Sequence, residues 1–304
     1  MLIFEIIFLS QYIDSLILEG IQISYEEEFS KAESIFNIVI NNDTLHPAGY
    51  FFKSALYQLK YFDMGYDSIK EFFFNLQKKG ISVAKRYVEK NPDDPWGYFF
   101  LGGFHTLNVF LYGYNGDYIN ALKNLFPALD NINKSVKMDS TIYDAYLGLG
   151  GYDYFKGMLP FMGSEKEKAF KEIKISIDKG KYTRFLSSSA LANLYIREKR
   201  YEDARKIIKE LIREFPGSRT FLWHYFNSFY YEGEIDSAIY YGYKLMELSK
   251  DNYYCYIQSV YFISELLLKK GEKKKVREIT ENIRDDLFPE WSKKIKILRE
   301  KSFK

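Results

Sequence analysis

Three histidines, one cysteine, a serine triplet and a glycine-rich run are the residues of this 304-residue chain whose types could carry a reaction. A metal held on one helix face needs two ligands three or four residues apart. His46, His105 and His224 each lack a second histidine at that spacing. Cys255 stands alone, which excludes an intrachain disulfide and a paired-cysteine redox or zinc motif. Ser187, Ser188 and Ser189 have neither a lysine nor flanking glycines in the register that exposes a nucleophilic serine on a sharp turn. Gly148-Leu149-Gly150-Gly151 has the composition of a phosphate-cradling loop, yet no strand-like run precedes it. Carboxylate pairs such as Asp285-Asp286 belong to any well-solvated helical surface. The chain is therefore expected not to be an enzyme, with no catalytic residue, no metal and no cofactor.

What positions these residues is a helical framework, and its signature is internal repetition. Pro47-Ala48-Gly49-Tyr50-Phe51-Phe52 recurs as Pro95-Trp96-Gly97-Tyr98-Phe99-Phe100, 48 residues later. Tyr98, Leu101, Gly102 and Gly103 become Tyr146, Leu149, Gly150 and Gly151 at the same step. Further on the period shortens: Ala204 to Ala238 is 34 residues. Helices are expected near 10–24, 28–41, 47–62, 68–90, 95–112, 118–137, 141–156 and 165–179. They continue near 184–199, 201–214, 218–232, 235–249, 252–270, 272–286 and 289–303. Asn91-Pro92-Asp93-Asp94-Pro95, Asn115-Gly116-Asp117 and Phe215-Pro216-Gly217-Ser218 punctuate them, and Ser164 with Glu167 reads as a capping box. The longest irregular piece is expected at 157–164. No sustained alternation of apolar and polar residues argues for a sheet.

The 34-residue unit built on Leu191-Ala192, Tyr195, Tyr201, Ala204, Ile208, Leu211 and Pro216 resembles the tetratricopeptide repeat (TPR) family, most closely over 184–251. The resemblance implies an all-α, TPR-like α-solenoid: a right-handed superhelix of about seven antiparallel hairpins with a C-terminal capping helix. One domain over 1–304 is expected, with degenerate elongated repeats in 1–183, regular repeats in 184–251, and a last repeat and cap in 252–304. In each hairpin a small residue on helix A (Gly20, Ser54, Gly102, Gly150, Ala192) admits one on helix B (Ala32, Gly80, Ala128, Ala169, Ala204). Regular spacing between the two is 12. Ser54 to Gly80 and Gly102 to Ala128 are 26, and Gly150 to Ala169 is 19. Fourteen extra residues are about four turns at ~3.6 residues each, so two extra turns per helix are expected in the middle hairpins.

In proteins of this kind the A helices line a concave face. The positions that point into it map onto Trp96, Phe99 and Leu107, onto Tyr154 and Phe155, and onto Ser189, Asn193 and Arg197. On the next repeat they are Trp223, Asn227, Tyr230 and Tyr231. Asn193 and Asn227 lie 34 apart and would stack, offering donor and acceptor to a peptide backbone, with Arg197 available to a carboxylate and the rings as anchors. Two readings stand. One is a non-enzymatic adaptor that binds a protein or peptide segment in this groove. The other is a small apolar-ligand binder, an exported partner of a transport system, with an enclosed cavity near Trp96, Phe99, Tyr154 and Phe155.

Charge narrows the partners. With 43 Lys and Arg against 41 Asp and Glu, the net of +2 gives no reason to expect a specific nucleic-acid partner. Residues 1–30 carry six acids and no Lys or Arg, whereas 269–304 carry 13 basic and 7 acidic groups, which suggests head-to-tail self-association. No transmembrane segment is expected, since the longest apolar run, Met1 to Leu9, is interrupted by Glu5. A cytoplasmic location follows, or a periplasmic or secreted one if residues 1–10 are the end of a signal peptide.

Overall fold

The computed structural model describes residues 2–284 and 286–304, and the side chains from Gln11 onward. Asp285 of the acidic pair and the side chains of the first ten residues lie outside that description. Fifteen α-helices follow one another among the described residues. They are α1 (Leu2–Tyr25), α2 (Phe29–Asn42), α3 (Ala48–Met64), α4 (Asp67–Lys90), α5 (Pro95–Tyr114), α6 (Tyr118–Met138), α7 (Tyr146–Lys156) and α8 (Ser164–Lys179). Then come α9 (Arg184–Arg197), α10 (Tyr201–Glu214), α11 (Arg219–Glu232), α12 (Ile235–Leu248), α13 (Tyr253–Lys269), α14 (Lys273–Ile279) and α15 (Pro289–Lys301). A short 3-10 turn, Tyr143–Ala145, leads into α7. The architecture is all-α, as the repeat arithmetic requires.

The chain separates into two compact units, Met1–Phe62 with Tyr66–Leu191, and Asp63–Gly65 with Ala192–Lys304. The division falls inside α9, eight residues past the change of repeat length drawn at 183/184. In unit 1, α1 packs on α2, α4 on α5, and α5, α6, α7 and α8 pack in succession. In unit 2, α10 to α14 do the same, and α15 lies on α13 and α14. The small residues act as the seam. A Cβ added to Gly102 would stand 3.0 Å from the Ala128 carbonyl oxygen, and one on Gly150 would stand 2.8 Å from that of Ala169. Both therefore need glycine for the close approach of a neighbouring backbone.

The expected lengthening is realised unequally. From Gly102, α5 runs 12 residues to its end and α6 needs 11 to reach Ala128; the regular hairpin takes five from Ala192 and four to Ala204. Each helix of that hairpin gains seven residues. Between Ser54 and Gly80 the gain is lopsided, since α3 has 17 residues and α4 has 24. Between Gly150 and Ala169 most of the excess lies in the connection 157–163, so this hairpin is not elongated, and α7 has only 11 residues.

Most hairpins turn the same way. Gly116, Lys199, Gly233 and Gly271 take left-handed backbone at helix ends (φ 76°, 59°, 88° and 77°). The next amide then bonds five residues back, as Glu234 N–H to the Phe229 carbonyl (3.0 Å) and Glu272 to Leu267 (2.9 Å). Two of the returning connections start the following helix with a side-chain cap: Asp94 accepts from Trp96 N–H (2.9 Å) and Asn252 from Cys255 N–H (3.2 Å). The capping box expected at Ser164 does not form; Ser164 is already helical and the cap position is Gly163. α14 stops at Ile279, short of 286, where the Thr280 hydroxyl turns back to the Val276 carbonyl (2.7 Å).

Each unit has a buried polar clamp. In unit 1, Asp144 accepts the amides of Lys181, Tyr182 and Thr183 (2.9, 2.7 and 2.8 Å) and the Thr183 hydroxyl (2.9 Å), tying the entry of α9 to the 3-10 turn. In unit 2, Asp63 receives both arms of Arg219 (2.9 and 2.8 Å) and the Asn252 amide (2.8 Å).

Candidate binding surface

Unit 2 gathers one row of rings from successive helices. Trp223, Asn227 and Tyr230 sit at i, i+4 and i+7 on α11, hence on one face. The Phe262 ring of α13 meets Trp223 at 5.9 Å and Tyr230 at 5.3 Å between centroids, both edge-on. From α15, Trp291 continues the row, 6.2 Å from Phe262 and 5.4 Å from Tyr261. Such edge-to-face pairs contribute about 0.5–1.5 kcal/mol each beyond burial, so the row is a stiff surface. Trp223, Tyr230, Tyr261, Phe262 and Trp291 are all half-buried, which leaves part of each ring open to a ligand.

Polar groups punctuate it. The Tyr230 hydroxyl donates to Glu265 (3.0 Å), and burial together with that carboxylate raises its pKa, so the phenol stays protonated. Lys269 stands 5.6 Å from the Tyr230 ring centroid and Lys294 4.4 Å from that of Trp291. Asn193 is exposed, and its amide nitrogen comes within 3.5 Å of His224 Nε2. Burial pushes the His224 pKa down to about 4, so the imidazole is neutral at pH 7 and its unprotonated nitrogen can face the amide. Tyr231 projects from the end of α11, 62% exposed, with its ring edge-on to Tyr230 (5.3 Å). Arg197 is exposed on α9, one turn beyond Asn193.

Unit 1 treats its expected site residues differently. Phe99 is 3% exposed and Tyr154 1%, so neither ring is available to a ligand. Phe99 lies against Trp96 (5.2 Å), Phe100 (5.3 Å) and Phe51 (5.9 Å). Tyr154 follows Gly150 by one helical turn and so shares its α8-facing side, meeting Phe170 at 6.1 Å. Leu107 and Ser189 are buried too, whereas Phe155 is exposed. Trp96 alone stays half-open, on a cleft of about 590 Å³ that Asp14, His46, Asp94, Phe100 and Tyr182 also line. The cleft's polar groups are engaged in holding the fold. Asp14 binds Lys181 and the Tyr182 hydroxyl, Asp94 caps α5 and accepts from the Tyr87 hydroxyl (2.7 Å), and His46 Nδ1 accepts from Ala48 N–H (3.2 Å). Burial lowers the His46 pKa against the opposing pull of Asp43 and Asp94.

Tyr261, Phe262, Trp291 and His224 were not among the expected site residues. Tyr261 had a legible signal, because Asn193, Asn227 and Tyr261 form one ladder at 34-residue steps. Trp291 had none, since the repeat spacing breaks before α15. No group of three or more His, Cys, Asp and Glu suited to a metal ion occurs among the described residues, and none of their helices is long and apolar enough to cross a membrane.

By sequence alone, no family model matches the chain and no curated protein matches it. Solved structures do. The thermophilic TPR protein TTC0263 of Thermus thermophilus is 18% identical over 71% of this chain and 98% of its own, with a TM-score of 0.46. The TPR2AB domain of yeast Sti1, solved with pHSP90, is 14% identical over 97% and 100%, at 0.33. Human IFIT1, solved as a dimer with PPP-AAAA, is 13% identical over 90% of this chain and 68% of its own, at 0.50. That last likeness, joined to the glycine seams, the left-handed turns and the 34-residue step, gives the chain a TPR-like, all-α helical repeat fold.

Proposed function

We propose that the chain is a non-enzymatic adaptor that binds an extended segment of a partner protein along the aromatic row of unit 2. The observation that carries this is the contact of half-buried rings across three helices, Trp223 and Tyr230 to Phe262 to Trp291. Rigid aromatic rings immobilised before binding lose little entropy on contact, which makes them efficient anchors. Asn193 and Asn227 each carry a side-chain donor and acceptor suited to a peptide's amides. The expected share of Trp96, Phe99 and Tyr154 in the groove is reduced to Trp96. Around it the rings of Phe51, Phe99, Phe100 and Tyr182 close at 5.2–6.0 Å, which supports a packed interior over an enclosed ligand cavity.

The test is a displayed-peptide selection against the full chain, followed by affinities of the enriched peptides for Trp223→Ala and Tyr230→Ala. An anchor contributes about 2 kcal/mol, or roughly a thirtyfold weakening. Peptides that bind both variants as well as the unaltered chain would remove the row from the reading.

A further inference from the structure

The two ends of the unit 1 hairpins differ in chemistry. Connections between one hairpin and the next, 43–47, 91–94 and 139–142, are rich in Asp, Asn, Ser and Thr, and their carboxylates cap backbone amides. The connections within hairpins, α5 to α6 and α7 to α8, emerge together at the other end, since α5 and α7 run the same way on either side of α6. That end is apolar. Tyr118 and Ile119 open α6 at 74% and 71% exposed, with Leu122 one turn on. The next hairpin closes at the same end with the run Gly157-Met158-Leu159-Pro160-Phe161-Met162-Gly163, which contains no polar side chain. Phe161 is 106% exposed.

Nothing about turning the chain demands this loop. Four other hairpins turn on Gly116, Lys199, Gly233 or Gly271 with connections of two or three residues. Here seven residues are used, and Phe161 itself occupies left-handed backbone (φ 67°) that favours glycine. A bulky ring kept in that conformation at full exposure is placed for contact.

We infer that this end of unit 1 is a lipid-contact surface, whose occupant is the interfacial region of a bilayer. Backbone chemistry favours lipid over a protein groove. Hydrocarbon cannot satisfy amides, so an inserting loop must satisfy its own. Four of the loop's six amides, those of Gly157, Met158, Leu159 and Met162, donate to the carbonyls of Asp153, Phe155, Lys156 and Leu159 (2.8, 3.1, 3.0 and 3.2 Å), and Pro160 has no N–H, so the loop meets most of that demand itself. Nearby charges are engaged locally: Lys156 with Glu165 (3.1 Å), and Asp117 with the Asn120 amide (3.2 Å). Attachment is thus apolar, with Tyr118 at the depth where amphipathic rings settle, and it depends little on lipid charge.

The experiment is co-sedimentation of the full chain with phosphatidylcholine vesicles and with vesicles also containing phosphatidylserine, at low and high salt. Binding to both, nearly salt-independent, is expected, with at least a tenfold loss for the double variant Leu159→Asp, Phe161→Asp. Both positions are exposed, and circular dichroism confirms that the variant stays folded. A second variant, Lys156→Gln, is expected to bind as the unaltered chain does. No binding to either vesicle overturns the inference, as does binding confined to anionic vesicles and released by salt. A dimer in sedimentation that the double variant abolishes, without vesicle binding, overturns it too and makes the patch a self-association surface.

Discussion

Unit 2 contains three successive helices of 14 residues that turn on glycine and lysine, and it gathers Trp223, Tyr230, Tyr261, Phe262 and Trp291 in one half-open row. Unit 1 draws its helices out to 20, 21 and 24 residues and buries a larger share of its rings between them. Both share the same seam of small residues, so the seam and not helix length defines the hairpin. What length changes is which side chains are covered. Longer neighbours shut over Phe99, whereas nothing comparable shuts over Trp223.

The contrast breaks most visibly if the clamp of unit 1 is removed. Asp144→Ala strands the buried Thr183 amide and the part-buried amides of Lys181 and Tyr182, and a loss of about 3 kcal/mol is expected in urea unfolding. A smaller loss would mean that the entry of α9 relaxes to water. Next comes the seam. Gly150→Ala should destabilise by about 1–3 kcal/mol despite alanine's better helix propensity, because its Cβ would stand 2.6 Å from Ile173 Cγ1 and 2.8 Å from a carbonyl. Its neighbour sharpens the test: no atom lies within 4 Å of a Cβ at Gly151, so Gly151→Ala should gain up to about 1 kcal/mol.

The smallest effect separates the units by pH. Burial, and then Asp153, raise Glu172 of unit 1 from 4.5 to about 7. The folded state holds that proton more tightly, so this group's contribution is complete below pH 4.5 and fades as pH rises through 7. His224 of unit 2 falls from 6.5 to about 4, so the unfolded chain takes up the proton first and stability is lost as pH drops from 6.5 toward 4. Calorimetric melting should show Glu172→Gln removing part of the alkaline decline and His224→Gln part of the acid one, each by about 2–4 °C. Matching profiles for variants and unaltered chain would mean that neither group is desolvated as described.

The order of the helices could be read from the chain because close approach demands Gly or Ala at a few positions, and those recur at 48 and 34 residues. The distribution of the extra length could not. A spacing of 26 reports only the sum of two helices and a turn, so the 17 and 24 residues of α3 and α4 were not separable. The site was half legible. Trp223, Asn227 and Tyr230 follow from the 34-residue step. Tyr154 was misplaced because its i+4 relation to Gly150, which puts it on the packed side, outweighs a position counted from a shorter repeat. Trp291 belongs to a helix with no counterpart to count from.

The seven residues added to each helix between Gly102 and Ala128 have a geometric consequence. At ~100° per residue, seven bring a helix back to within about 20° of its starting azimuth. Side chains beyond such an insertion keep their phase about the axis, and the hairpin telescopes without rotating its inner stripe. Insertions of seven at this tip should therefore be absorbed, whereas insertions of two would swing the stripe by roughly half a revolution and expose it.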